Sequence, residues 1–131
     1  MYFKIKINRT VVTDNDKYKQ VTEYYLTEAD NFADAGYKLI HRLGTEVEVE
    51  DVCMEKNLKP AVNEYMNNKI FIVKIAEDVY ADGLWKTIKY AMPVFATNSD
   101  EVHDIMRKFI SQGFENMRLT TISETKWYYI E

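Results

Sequence analysis

Two histidines, one cysteine and a run of alternating acids are the side chains of this 131-residue chain best suited to metal or nucleophilic chemistry. His41 and His103 have no His-x-x-x-His or Cys-x-x-Cys spacing around them, the pattern that lets ligands converge on zinc. Both read as residues on the flanks of helices. Cys53 has no histidine or second cysteine near it in sequence, so a nucleophile there would need a base brought in by folding; a small buried residue is the expectation. Glu46, Glu48 and Glu50 alternate with Val47 and Val49 and so project from one strand face. Three carboxylates could hold a cation, but Lys4 and Lys6 also share a strand face, and cross-strand charge pairs are the expected arrangement. Gly83 stands alone in Asp82-Gly83-Leu84. The phosphate loop, the dinucleotide fingerprint and the serine nucleophile elbow all need glycines at spacings this chain lacks. No catalytic residue, metal or cofactor is therefore assigned, and a non-enzymatic protein is expected.

Aromatic residues beside lysine are the more suggestive feature. Trp85 with Lys86, and Lys126 with Trp127, Tyr128 and Tyr129, form two such groups, and Tyr24 and Tyr25 lie on the first unit's hairpin. From these, Tyr24, Tyr25, Trp85, Lys86, Lys126, Trp127 and Tyr129 are the candidate ligand-binding residues. Aromatic rings stack bases, and lysines meet phosphates. The same residues suit a core or a homo-oligomer contact, and half-buried strands need them for packing, which is the reading favoured here. A net charge of −4 gives no basic excess of the kind that supplies most of a duplex-DNA binder's affinity.

The elements that must position these residues read as one α+β domain over 1–131, of tandem β-β-α-β units at 1–56 and 69–131 joined by a connector at 57–68. Hydrophobic residues make up 47% and charged residues 29%, a globular composition. Tyr2-Phe3-Lys4-Ile5-Lys6-Ile7 resembles Ile70-Phe71-Ile72-Val73-Lys74-Ile75, and each run alternates like an opening strand. Turns follow at Thr13-Asp14-Asn15-Asp16-Lys17 and at Tyr80-Ala81-Asp82-Gly83-Leu84, where Asp-Gly is a hairpin signal. Second strands are expected over Tyr18–Leu26 and Trp85–Phe95. Phe32, Ala35, Gly36, Leu39, Ile40 and Leu43 make one helical stripe, and Val102, Ile105, Met106, Phe109 and Ile110 another. Asn31 and Asn98 stand at the N-cap positions, with Asp34 and Glu101 three residues on; Gly44 and Gly113 stand just past the ends. In the last strand of each unit the apolar spacing slips from two to three, at Val47-Val49-Val52 and at Met117-Leu119-Ile122, which predicts a β-bulge at matching places. The connector, with Pro60, Val62, Tyr65 and Met66, is expected to pack, with a helical turn. Each unit alone offers a helix and three strands, so the two helices are expected to pack together on antiparallel or mixed sheet, with the pattern leaving open whether the six strands form one sheet or two facing ones.

The run Val21-Thr22-Glu23-Tyr24-Tyr25-Leu26-Thr27-Glu28-Ala29-Asp30-Asn31-Phe32-Ala33-Asp34-Ala35, with the closing Ile122-Ser123-Glu124-Thr125-Lys126, resembles an uncharacterised domain-of-unknown-function family of anaerobic gut-type bacteria, their mobile elements and phages. Asn31, Asp34 and Gly36 depart from that family's Ser, Glu and acidic residue. The resemblance implies a phage or mobile-element origin and supplies no activity. The expected function is that of a non-enzymatic binding protein that contacts a host or phage protein. Sequestration of a nucleotide or cyclic oligonucleotide, and accessory binding of single-stranded nucleic acid, are the alternatives. Apolar runs are too short for a bilayer, and a single cysteine suits a reducing compartment, so the host cytoplasm is the expected location, with self-association within reach of the tyrosine-rich surface.

Overall fold

A computed structural model describes residues 1–112 and 116–131. The element order is β1 (Tyr2–Val12), β2 (Tyr18–Glu28), α1 (Phe32–Leu43), β3 (Glu48–Met54), β4 (Lys69–Ala81), β5 (Leu84–Ala96), α2 (Ser99–Ser111), β6 (Met117–Glu124) and β7 (Tyr128–Ile130). The architecture is the expected α+β, and the strands form two sheets: a mixed sheet ordered β3-β1-β2-β7 and an antiparallel sheet ordered β5-β4-β6. The chain divides into two compact units, Met1–Lys56 with Trp127–Glu131, and Asn57–Lys126. The last five residues thus leave the second repeat in which the sequence places them, because β7 pairs in parallel with β2, through Tyr25↔Tyr128, Leu26↔Tyr129 and Thr27↔Ile130.

In the first unit, the alternation of β1 sends Phe3, Ile5 and Ile7 to one face, where they are fully buried with Tyr25, Ala35, Leu39 and Ile130. The α1 stripe is narrower than its spacing suggests. Ala35 and Leu39 are buried, whereas Phe32 is 54% and Ile40 48% exposed. Phe32 still lays its ring edge-on to Phe3, with centroids 5.0 Å apart. The helix starts where Asn31 Oδ1 accepts the Asp34 N–H at 2.8 Å, and it stops at Gly44, whose φ of +84° would strain an L side chain.

The second unit has the same order of strand, strand, helix, strand. Phe71, Val73, Ile75, Met92, Val94, Val102, Met106 and Met117 form its core. Asn98 caps α2 by accepting the Glu101 N–H at 2.9 Å, and the Glu101 carboxylate reaches back past the cap to accept the Thr97 N–H at 3.2 Å, an offset form of the capping box. The β4–β5 turn needs only Asp82 and Gly83, both at positive φ, so the strands run on through Ala81 and Leu84. Gly113, expected past the helix end, lies outside the described residues. The connector has no helical turn: Leu58 bridges Ala91 in parallel, and Asn63 bonds both the N–H and C=O of Phe95. Both expected bulges are present. The register slips between Lys6 and Ile7 against β3, leaving Glu50 extra, and between Lys74 and Ile75 against β6, leaving Thr120 extra. No helix among the described residues is long and apolar enough to cross a membrane.

Candidate functional site

The sequence-nominated aromatics divide between the units and between faces. On the face of the first sheet opposite α1, the Lys4 ammonium lies 5.2 Å from the Tyr24 ring centroid and 4.9 Å from that of Trp127. Tyr24 and Trp127 are therefore brought together, around a lysine that sequence reasoning placed only in charge pairs. Tyr25, one residue from Tyr24, faces the other way and stacks on Tyr128 at 5.2 Å between centroids. Burial pushes the Tyr25 hydroxyl above its ordinary pKa. Tyr129 sits opposite Leu26 in the sheet, and burial raises its pKa to about 12. Lys126 is exposed and ends the second unit.

The Lys6 neighbour does make the expected cross-strand pair, with its Nζ 3.0 Å from Glu50. The bulge is what presents Glu50 for this, and the same carboxylate accepts from the Asn8 amide. That hydrogen bond and charge hold the Lys6 pKa above its ordinary value. Cys53 is exposed, not buried: β3 is an edge strand, and Cys53 stands opposite Lys4 on the outward side of the ladder. His41 and His103 are exposed on their helices, and His41 stacks on Tyr37. The described residues hold no group of three or more His, Cys, Asp or Glu placed to share a metal ion.

Trp85 and Lys86 lie in the second unit, on the far part of the β4–β5 hairpin. Adjacent strand residues point to opposite faces, so the two do not converge. Every residue from Tyr80 to Lys89 is exposed. Tyr80 is 64%, Leu84 63%, Trp85 66% and Ile88 47% exposed, the largest concentration of exposed apolar side chains in this unit. Tyr80 and Trp85 pack edge-to-face across the strand pair with centroids 5.4 Å apart. Beside them the Thr87 hydroxyl donates to Asp78 at 2.7 Å, and Arg118 pairs with the same carboxylate. Both bonds depress the Asp78 pKa, the Arg118 bond most. The hairpin arm is thus held in shape by polar contacts while its aromatic and aliphatic groups face water. The sequence marked Trp85; it did not mark Tyr80, Leu84 or Ile88, whose alternation reads the same as that of a covered strand.

Among the described residues of the second unit, two of the cavities have linings that carry charged or polar groups. One, about 650 Å³, lies where α2 begins beside β6, with Lys69, Asn98, His103, Thr121 and Glu124 among its lining residues. Lys69 is held there by Glu124 at 2.7 Å. The other, about 450 Å³, is lined by Asn57, Lys74, Lys89, Tyr90, Ala91 and Thr120. Burial, with the Glu77 carboxylate 3.2 Å from its hydroxyl, raises the Tyr90 pKa to about 12.

No family model, curated protein or solved structure matches the chain.

Proposed function

We propose that the chain is a non-enzymatic binding protein that acts by contact with a host or phage protein, in the host cytoplasm, and that it derives from a phage or mobile element. The origin and the location rest on the sequence resemblance and composition. The observation that carries the contact reading is the β4–β5 hairpin, a two-stranded arm that exposes Tyr80 and Trp85 on one face and Leu84 and Ile88 on the other. Tryptophan and tyrosine are enriched among the hot-spot residues of protein interfaces, because a rigid ring buries a large area at low entropic cost. The rings best placed for nucleotide stacking support that reading less. Tyr24 and Trp127 already flank Lys4, and Tyr25 already stacks on Tyr128.

The test compares capture of partners from host lysate by the native protein and by the Leu84→Ser/Trp85→Ser variant, alongside thermal shifts with a nucleotide panel. A partner retained by the native chain and lost by the variant, with no nucleotide-dependent shift, supports the reading. A nucleotide that raises the melting temperature, as a ligand specific for the native state does, with equal captures by the two proteins, overturns it.

A further inference from the structure

We infer that the outer edge of β5 pairs with the same edge of a second copy, in an antiparallel register centred on Thr87. The inference rests on the reading of the hairpin as a contact surface and names a second copy of this chain as the occupant of its open β5 edge.

The direction of the β5 backbone groups is fixed by the connector. Ala91 accepts from the Lys59 N–H at 2.7 Å and donates to the Asn57 carbonyl at 3.2 Å, so its polar groups point away from β4. Phe95 points the same way, toward Asn63. Strand alternation then directs the groups of Trp85, Thr87, Lys89 and Pro93 outward as well. Pro93 has no N–H, and a proline on an edge blocks further pairing. The edge is therefore covered or blunted from Ala91 to Phe95 and open from Leu84 to Tyr90, where residues through Lys89 are exposed and nothing among the described residues bonds the outward groups. Unpaired strand edges of this kind are templates for another strand.

The open stretch is self-complementary. Its midpoint, Thr87, is an outward-pointing residue, as a two-fold axis through a hydrogen-bonded pair requires. With Thr87 opposite its own copy, Trp85 faces Lys89 and Lys86 faces Ile88. Leu84 faces Tyr90. Each ammonium then lies beside a ring or an aliphatic chain, contacts that are favourable for lysine. A register centred on Lys86 would place two lysines directly opposite, which is destabilising. The paired arms make one continuous strip, β4-β5-β5-β4, carrying two copies of Tyr80 and Trp85 on a single face.

The test needs no partner: sedimentation equilibrium of the purified protein up to roughly 100 μM, the range suited to a small edge interface. The native protein should shift toward twice its 15.5 kDa mass as concentration rises. Thr87→Pro, which removes an outward N–H as Pro93 already does within the same strand, should stay monomeric with the native circular dichroism spectrum. In a Cys53→Ser background, Thr87→Cys should form a disulfide-linked dimer on mild oxidation, and Tyr18→Cys, an exposed control, should not. A native chain that remains monomeric throughout, or a Thr87→Pro variant that dimerises as the native chain does, overturns the inference. Loss of foreign-protein capture in the Leu84→Ser/Trp85→Ser variant would stand in either case, so the two readings fail separately.

Discussion

The ammonium of Lys4, on the first strand, sits 4.9 Å from the centre of the Trp127 ring, on a segment reached only after the whole second unit has been traversed. The chain end is thereby tied into the first sheet. Thr27, fully buried, donates its hydroxyl to the Ile130 carbonyl at 2.9 Å, and Ile130 itself is in the core. Ile130→Ala should cost the first unit about 2–5 kcal/mol, the range for truncating a buried aliphatic residue. Each unit contains one tryptophan, so fluorescence melts of a Trp85→Phe protein read the first unit through Trp127. A loss below about 0.5 kcal/mol, typical of an exposed site, would contradict the placement of β7.

Leu39 and Met106 are fully buried at the centres of their helix stripes. Either changed to Ala should cost roughly 2–5 kcal/mol in denaturant melts. Phe32→Ala and Ile40→Ala should cost clearly less than Leu39→Ala, since both side chains are about half exposed. Equal losses at Ile40 and Leu39 would show that α1 presents a wider face to the core.

Asn31 and Asn98 each accept an N–H three residues on. Replacement of either by Ala should cost about 1 kcal/mol, and Asp or Ser should restore most of it. Asp or Ser variants no more stable than Ala would mean that the side-chain oxygen is not what starts the helix.

The bulges give a sharper expectation. Removing Glu50 would close the ladder with Val49 and Val52 still on one face, because the deleted residue is the unpaired one. Removing Lys6 from β1 would instead shift every later side chain of that strand to the opposite face. The Glu50 deletion should therefore leave a folded protein with a modest shift in melting temperature, and the Lys6 deletion should not fold. The same Glu50 deletion, like Glu50→Gln, should lower the Lys6 pKa, measurable by NMR titration of the lysine amines, since the Glu50 bond is the main cause of its elevation.

These features were legible in sequence because each is local. An Asn followed three residues later by an acid, an Asp-Gly between alternating runs, and a two-then-three spacing of apolar residues each report on backbone within a few positions. What the sequence hid was pairing at a distance. Tyr128-Tyr129-Ile130 reads as the continuation of a strand, and nothing in it names Tyr25-Leu26-Thr27 as its neighbour. Cys53 was misplaced for the same reason: its exposure depends on β3 being an edge. The candidate site was half legible. Trp85 stood out as a large aromatic, but whether Tyr80, Leu84 and Ile88 were covered depended on how far α2 and the connector extend along the sheet.

Alkaline pH should destabilise the fold through tyrosine. Tyr90 and Tyr129 have pKa values of about 12 in the fold, with burial as the leading cause, against about 10 in an unfolded chain. A raised folded pKa means that the folded state keeps its proton when the unfolded state loses it. The stabilisation is complete below about pH 10 and is lost as pH rises toward 12. Tyr90→Phe and Tyr129→Phe should flatten that loss in melting temperature between the two values; an unchanged slope would show that these hydroxyls titrate as exposed ones.

The most direct measurement of the central claim, the proposal that the β4–β5 hairpin is the contact surface, is site-specific photo-cross-linking in living bacterial cells. A photo-reactive residue in place of Lys86 samples the exposed hairpin, and one in place of Lys19 samples an exposed strand position in the first unit. The account predicts a covalent adduct to another protein from position 86 and none from position 19, with any self-adduct recognised by its mass of twice 15.5 kDa. No adduct from position 86, or the same adducts from both positions, would contradict it.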